Sequence, residues 1–574
     1  MRYKSELKFG ELLTNFFNFR GITVRIDWKY VHRVFIFFLS LCLYASPFSL
    51  LAFSLSDLSL EEKVGQVLMV HFHGQEANEE AKRLIQESYV GGVIYYTWAN
   101  GLQDPQQAQN LSQSLQQLAK QTPHAIPLLI AIDHEGGRVS RLKRGFTPFP
   151  GNYALGQTGE WQWGTESAWM MGQELKAVGI SLNLAPVVDV YTQPANPVIG
   201  IRAFSSDPAK VALWGKYALQ GYRQAGVIAA LKHFPGHGDV TVDSHEALPL
   251  VAKKREALEE VEIFPFRALA SQAEVIMTAH LFVPALDAQE CVTFSKKIVQ
   301  DLLRRELDFQ GVAMTDSLAM EGVLSQSSSV EEAALRSLEA GHDLILLGGK
   351  QLLASQQGLE FTSQEIKRIH QFLVEAVKQG RLSEKRLDEA VNRLLRLKQR
   401  YGLFDFRPLE ASWLKTQVNT PSHRALAQQI ARRALRVVKK GNRLPLALHA
   451  QRLLIVAPDC LKEDLMQTAW SSLGPQAQIL YFKGFNPDQA TLEEIRTAAE
   501  KDKPCVYFAY NTWQFGGQRA LFQMLVQQSA YTVALAVRDP IDIEYLNAAD
   551  VILCTFSPAV CSLQAAFDCL TEER

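Results

Sequence analysis

From Ser56 onward, short apolar runs alternate with stretches whose apolar residues recur at helical spacing. The runs are QVLMVHFHG (from Gln66), GGVIYYTW (Gly91), PLLIAID (Pro127), SLNLAPVVDV (Ser181), VIAALKHF (Val227), VIMTAHLF (Val275), GVAMTDS (Gly311) and LILLGG (Leu344). They are nearly continuous in apolar residues, as expected of parallel strands covered on the outside. Helical patterns such as SKKIVQDLLRREL lie between them, this one opened by Ser295 at an N-cap position. Eight strand–helix units in succession predict an α/β fold, a (β/α)8 TIM-type barrel, with a doubly wound open sheet as the alternative. The helix SEKRLDEAVNRLLRLKQRYGLF, Ser383 to Phe404, closes this domain. A second α/β pattern follows, with strands in RLLIVAP, PCVYFAY, TVALAVRDP and DVILCTFSP. The expected organisation is a barrel over 56–404, a linker over 405–430 and a smaller αβα sandwich over 431–574. The sandwich carries no dense cluster of titratable residues and reads as a structural or interface domain.

Residues 1–55 break the pattern. The basic stretch WKYVHR precedes VFIFFLSLCLYASPFSLLAFS, Val34 to Ser54, and about 20 apolar residues suffice to cross a bilayer as a helix. Pro47 and the position ahead of the first domain argue against a buried core helix. A signal peptide with a long basic lead is expected, with an uncleaved anchor as the alternative. The protein is therefore expected to be exported, periplasmic or extracellular, with membrane contact through this segment if it is retained. Leu41 before Cys42 makes a poor lipidation site.

Composition adds mainly exclusions. The chain is 47% hydrophobic and 21% charged, and 59 Lys plus Arg face 60 Asp plus Glu, so no excess charge points to nucleic acid. The seven cysteines are scattered and form no CxxC pair, which predicts neither a zinc site nor a disulfide framework.

The placement of polar residues changes the picture more. In a barrel, chemistry sits on the loops after the C-terminal ends of the strands. Asp133 ends the third run and Asp189 the fourth, the latter ahead of NPVIGIRAFS with Arg202. Lys232 and His233 end the fifth, His280 the sixth and Asp316 the seventh. A random scatter of charges would not meet strand ends so regularly, which predicts an enzyme.

The densest loop, KHFPGHGDVTVDSH, runs from Lys232 to His245. His233, His237, Asp239, Asp243 and His245 are metal-ligand types, but Pro235 and Gly236 separate the first two histidines and no HExxH or cysteine partner accompanies them. No metal and no cofactor is expected. Proton transfer fits better. Asp243 and His245, two apart in an extended loop, point the same way, so the carboxylate would fix the imidazole's tautomer. Gly236 and Gly238 would let the loop swing over a substrate. Asp316, a lone carboxylate after an apolar strand, suits nucleophilic attack. A nucleophilic carboxylate with a separate acid/base is the arrangement of a retaining glycosidase.

KHFPGHGDVTVDSHEALP resembles the signature of glycoside hydrolase family 3 β-N-acetylglucosaminidases. The resemblance extends through LSLEEKVGQVLMV, IDHEGGRVSRL, LNLAPVVDV, NPVIGIRAFSSDP, VIMTAHL and GVAMTDSLAM. It implies Asp316 as nucleophile, Asp243 and His245 as the acid/base dyad, and Asp133, Arg202, Lys232 and His233 as sugar-binding groups. It implies exo release of terminal GlcNAc from GlcNAc-containing oligosaccharides or muropeptides. Two alternatives stay open: a GlcNAc phosphorylase using the same dyad, and an inactive, membrane-anchored cell-wall-binding protein. The sequence departs from the family at His134, where a glutamine is usual, at Ile201, where a polar residue is usual, and in the aromatic GGVIYYTWANG. The Asp-His loop stands in place of the second-domain glutamate of family β-glucosidases, which argues against glucosidase activity.

Overall fold

The computed structural model describes residues 53–574 except 245–246, 350–359, 443–445, 447–451, 476, 501–502 and 573–574, together with the strands 17–19 and 22–24. Two of the features singled out above, the apolar stretch from Val34 to Ala52 and His245, lie outside the described residues. Among those described, no helix is long and apolar enough to cross a membrane. Residues 54–574 form one compact unit.

Eight parallel strands build the first part of that unit: β1 (Leu68–Val70), β2 (Gly92–Tyr95), β3 (Leu129–Ile132), β4 (Leu182–Asn183), β5 (Ile228–Phe234), β6 (Val275–Thr278), β7 (Val312–Thr315) and β8 (Ile345–Leu347). Consecutive strands pair from β1 to β7 and β8 pairs with β1; a parallel bridge between Met314 and Leu344 joins β7 to β8. The sheet is a closed barrel, not an open doubly wound sheet. Every residue of these strands is buried, which accounts for their unbroken apolar sequence. The strands are shorter than the apolar runs. That of SLNLAPVVDV stops at Asn183, ahead of Pro186, which has no N–H to give a ladder. Helices between the strands begin on side-chain caps. Ser59 and Glu62 satisfy each other's backbone N–H in a capping box, and Asp207 caps the helix Pro208–Ala225.

The second sheet has the order β9 (Arg436–Lys439), β14 (Val551–Cys554), β13 (Tyr531–Ala536), β12 (Pro504–Ala509), β10 (Leu453–Pro458) and β11 (Ala477–Phe482). Its pairings are parallel except that of β9 with β14.

The segment 405–430 is not a plain linker. It contains the helix Ala411–Gln417 and most of the helix Pro421–Ala434, which Thr420 caps by accepting the N–H of His423. Leu426, Ala427, Ile430 and Ala431 recur at helical spacing and belong to the barrel's apolar core, together with Ala559, Cys561 and Ala565 at and within the final helix (Val560–Thr571). Cys561 Sγ donates to the carbonyl of Pro148 at 2.8 Å, and Arg432 pairs with Asp568 at 2.7 Å. The two α/β layers thus meet through a common core.

Candidate active site

A cavity of about 320 Å³ opens at the C-terminal ends of the barrel strands. Asp133, Arg202, Lys232, His233, Asp243 and Asp316 all line it, so six of the seven site residues expected from the sequence come together. The seventh, His245, lies outside the described residues.

Lys232, the fifth residue of β5, is 1% exposed and ion-paired twice: with Asp133 Oδ1 at 2.7 Å and Glu135 Oε1 at 2.8 Å. Glu135 also takes the guanidinium of Arg202 through both its oxygens, at 2.8 and 3.0 Å. Burial alone would raise the Glu135 pKa, but the charges of Arg202 and Lys232 outweigh it and hold the carboxyl well below its usual range. Burial likewise opposes the charged form of Lys232, and Asp133 and Glu135 more than reverse this, so the ammonium is kept. The result is a fixed lattice of charge with its donors and acceptors already oriented.

His233 follows on the same strand. Its Nδ1 donates to Asp189 Oδ2 at 2.7 Å, and the N–H groups of His233 and His237 both donate to Asp189 Oδ1, at 3.1 and 2.7 Å. Asp189 is fully buried; desolvation pushes its pKa up, but His233 and these hydrogen bonds bring it below the ordinary value. It ties the end of β5 to the loop beyond. The ring of His233 is thereby set with Nε2 3.5 Å from the guanidinium of Arg202. Burial, then the neighbouring His233, lowers His237 to about 4, so it is neutral at ordinary pH. A hydrogen bond of 3.2 Å joins His237 Nε2 to Ser244 Oγ and fixes the chain next to Asp243.

The two loop glycines sit where the chain packs closely. A Cβ on Gly238 would lie 1.7 Å from the carbonyl oxygen of Val190, and one on Gly236, at φ +137°, would lie 2.6 Å from the Cβ of Glu262. These glycines allow the chain to be pressed against its neighbours.

Asp316 follows β7 directly. Its N–H donates to the carbonyl of Thr278 at 3.1 Å, and the N–H of Ser317 donates to Asp316 Oδ1 at 2.7 Å. Ser317 is held in turn by Gly348, to whose carbonyl its hydroxyl donates, and by His280, whose Nε2 donates to the Ser317 carbonyl at 2.9 Å. Thr293 then donates to His280 Nδ1 at 2.7 Å. The carboxylate is thus aimed by backbone and buried side chains together.

The sequence matches the description "Glycosyl hydrolase family 3 N terminal domain" over residues 59–397. The chain belongs to glycosyl hydrolase family 3. It is 35% identical over 438 residues to "Beta-hexosaminidase A" of Pseudoalteromonas piscicida, covering 72% of this chain and 70% of that one. To the "Beta-hexosaminidase" of Idiomarina loihiensis it is 36% identical, over 49% of this chain and 83% of that protein. The structure of a family 3 β-N-acetylglucosaminidase from Paenibacillus sp. str. FPU-7 superposes with a TM-score of 0.80 at 33% identity, covering 90% of this chain and 97% of the other. This family 3 member is accordingly a glycoside hydrolase with a barrel and a second α/β domain.

Three features of the family 3 site add to the sequence reading. Glu135, two residues beyond Asp133, is the joint partner of Arg202 and Lys232; the period-2 spacing of Asp133 and Glu135 at a strand end was its signal. Tyr96, Trp98, Arg138 and Arg141 also line the cavity, brought there by the loops after β2 and β3. The second domain reaches the site's edge. A Cβ on Gly200, at φ +47°, would be 2.5 Å from Asp539 Oδ1, and Arg538 extends to 3.5 Å from the carbonyl of Pro197. Both contacts fall on the loop that ends in Arg202. Of the family departures, His134 and Ile201 are buried and do not line the cavity, whereas the aromatic Tyr96 and Trp98 do.

Proposed function

We propose that the chain is a retaining exo-β-N-acetylglucosaminidase that removes terminal non-reducing GlcNAc from β-linked glycosides. Peptidoglycan fragments with GlcNAc joined to (anhydro-)MurNAc are the proposed substrates. The observation that carries this reading is one cavity lined by Asp316, Asp243, Asp133, Lys232 and Arg202, the last two fixed by Glu135 behind them. In the proposed reaction, Asp316 attacks the anomeric carbon while His245, oriented by Asp243, protonates the departing oxygen. The covalent glycosyl-enzyme is then hydrolysed by water that His245 deprotonates. The charged lattice brackets the hydroxyls of one sugar, and a site built on such groups rejects a sugar that lacks the matching ones. No metal or cofactor enters these steps. For location, the proposal is export directed by the segment from Val34 to Ser54, with fractionation and N-terminal sequencing of the mature protein as the check.

The test is incubation with chitobiose, a GlcNAc–anhydroMurNAc fragment and a β-glucoside, with products read by mass spectrometry. Single GlcNAc units and poor turnover of the glucoside are expected. Internal cleavage of long chains, or equal rates on the glucoside, would overturn the assignment. Added phosphate checks the other acceptor: GlcNAc-1-phosphate in place of free GlcNAc would make the protein a phosphorylase. No turnover of any of these substrates would leave only the binding role.

A further inference from the structure

Beside the cavity, at the seam where β8 pairs with β1, a second group of chemically capable side chains converges. His71 and His73 follow β1 directly, two residues apart, with ring centroids 5.9 Å from each other. Glu360 approaches from the chain that leads into the helix Ser363–Lys378, and its Oε2 lies 2.6 Å from His73 Nε2. One donor atom from each of the three lies within 4.8 Å of the other two. His71 is buried at 1% exposure while the His73 side chain is 50% exposed, so the group has a floor and an opening to solvent.

Three observations favour a bound cation here. Two imidazoles and one carboxylate form the donor set of zinc and related dications, with a fourth position left for water. Zn–N and Zn–O distances of roughly 2.0–2.1 Å put tetrahedral donors roughly 3.3 Å apart. At its widest, 4.8 Å, the group must therefore contract by up to about 1.5 Å, while His73 Nε2 and Glu360 Oε2, 2.6 Å apart, move slightly apart, both within reach of a rotation of the exposed His73 ring. The backbone that carries the ligands is already braced. Glu80 accepts the N–H of His73 at 3.3 Å and that of Ser363 at 3.4 Å, and Asn78 donates to the carbonyl of His73 at 2.7 Å. One carboxylate thus spans the two chain segments that the ion would join.

We propose that His71, His73 and Glu360 bind a divalent transition-metal ion, zinc by preference, which clamps the chain leaving β1 to the chain entering the helix Ser363–Lys378. The ion takes no part in bond cleavage. Its influence passes through Trp98, whose ring centroid lies 5.4 Å from that of His71 and 5.3 Å from that of His73, and which stacks on Tyr96 at 5.3 Å. Both aromatics line the catalytic cavity, so metal loading alters KM for a substrate with a sugar aglycone more than it alters kcat.

The experiment uses chelator-treated full-length protein, titrated with zinc chloride by calorimetry and with cobalt(II) by visible absorption. One ion per chain is expected, with cobalt bands of a four- or five-coordinate site. His73→Ala and Glu360→Gln should each weaken zinc binding by about tenfold or more, with hydrolysis of a nitrophenyl glycoside in chelator unchanged. These positions are chosen because the buried His71 contributes to folding. Affinity equal in wild type and both variants overturns the proposal, as does no binding at micromolar zinc. Binding that survives in these variants but is lost in Asp243→Asn would place the ion in the catalytic cavity and overturn it equally.

Discussion

At the scale of single residues, the site divides into groups proposed to react and groups that hold them. Asp316→Ala removes the proposed nucleophile from a well-braced position, so kcat should fall by roughly three orders of magnitude or more with the fold retained. A fluorinated glycoside with a good leaving group should label Asp316 covalently in the wild type; labelling of another carboxylate would refute its role. General acid catalysis contributes about 10²–10⁴-fold, so His245→Ala should slow poor leaving groups strongly and activated nitrophenyl ones far less. Equal losses on both would mean that His245 binds rather than transfers protons. Glu135 belongs to the holding class. Its side chain and that of Lys232 are each 2% exposed, and removing one partner from such a pair costs about 3–5 kcal/mol. Glu135→Gln should lower the melting temperature and raise KM more than it lowers kcat, while a kcat-only effect would argue for a direct chemical role. The first class was legible in the sequence: Asp316 closes an apolar run, and His245 stands two residues from Asp243 on the densest polar loop. The second was only partly so. Glu135 could be found from its spacing to Asp133, and the aromatic GGVIYYTWANG pointed to Tyr96 and Trp98, but the contribution of Arg138 and Arg141 depends on how loops after separate strands converge, and no local pattern records that.

At the scale of elements, periodicity predicted well where burial was complete and poorly where it was not. The eight barrel strands and four sandwich strands announced themselves as apolar runs. Strand β9 escaped notice because all four of its residues are exposed, and β11 because it is a half-buried edge strand of mixed composition. The helix Pro421–Ala434 was taken into a linker although Thr420 and Pro421 form a standard helix start; the polar residues around it masked its narrow apolar stripe. The turn after β13, Pro540–Tyr545, offers a pH test. Asp542 is buried there and accepts the N–H groups of Asn511 and Trp513 at 2.9 and 2.8 Å. Burial, with a further push from Asp539, raises its pKa from 3.8 to about 7. The folded state therefore keeps a proton that the unfolded state releases, so this contribution to stability is full below the unfolded value near 3.8 and is lost as pH rises through about 7. The melting temperature should fall over that window in the wild type and fall less in Asp542→Asn. Parallel profiles for the two would show that Asp542 does not titrate there.

At the scale of the whole molecule, the two α/β layers are expected to behave as one cooperative body. The barrel's apolar core incorporates Leu426, Ile430, Cys561 and Ala565, none of which belongs to the barrel's own chain segment. Calorimetry should show a single unfolding transition, and a chain ending at residue 430 should aggregate; two resolved transitions, or a soluble active barrel, would refute the shared core. Arg538→Ala should raise KM through the loop that ends in Arg202 while leaving that transition in place. The shared core was not legible in the sequence, since the final helix reads as an ordinary amphipathic element and nothing local names its partner. Its position also has a consequence for biosynthesis. A ribosome making this protein releases the barrel strands long before residues 559–565, so the nascent barrel waits with an uncovered apolar face until those residues emerge. Premature stop codons anywhere ahead of that point should therefore yield chains that proteases clear, so that frameshifts just ahead of residue 559 are tolerated no better than changes in the catalytic loops.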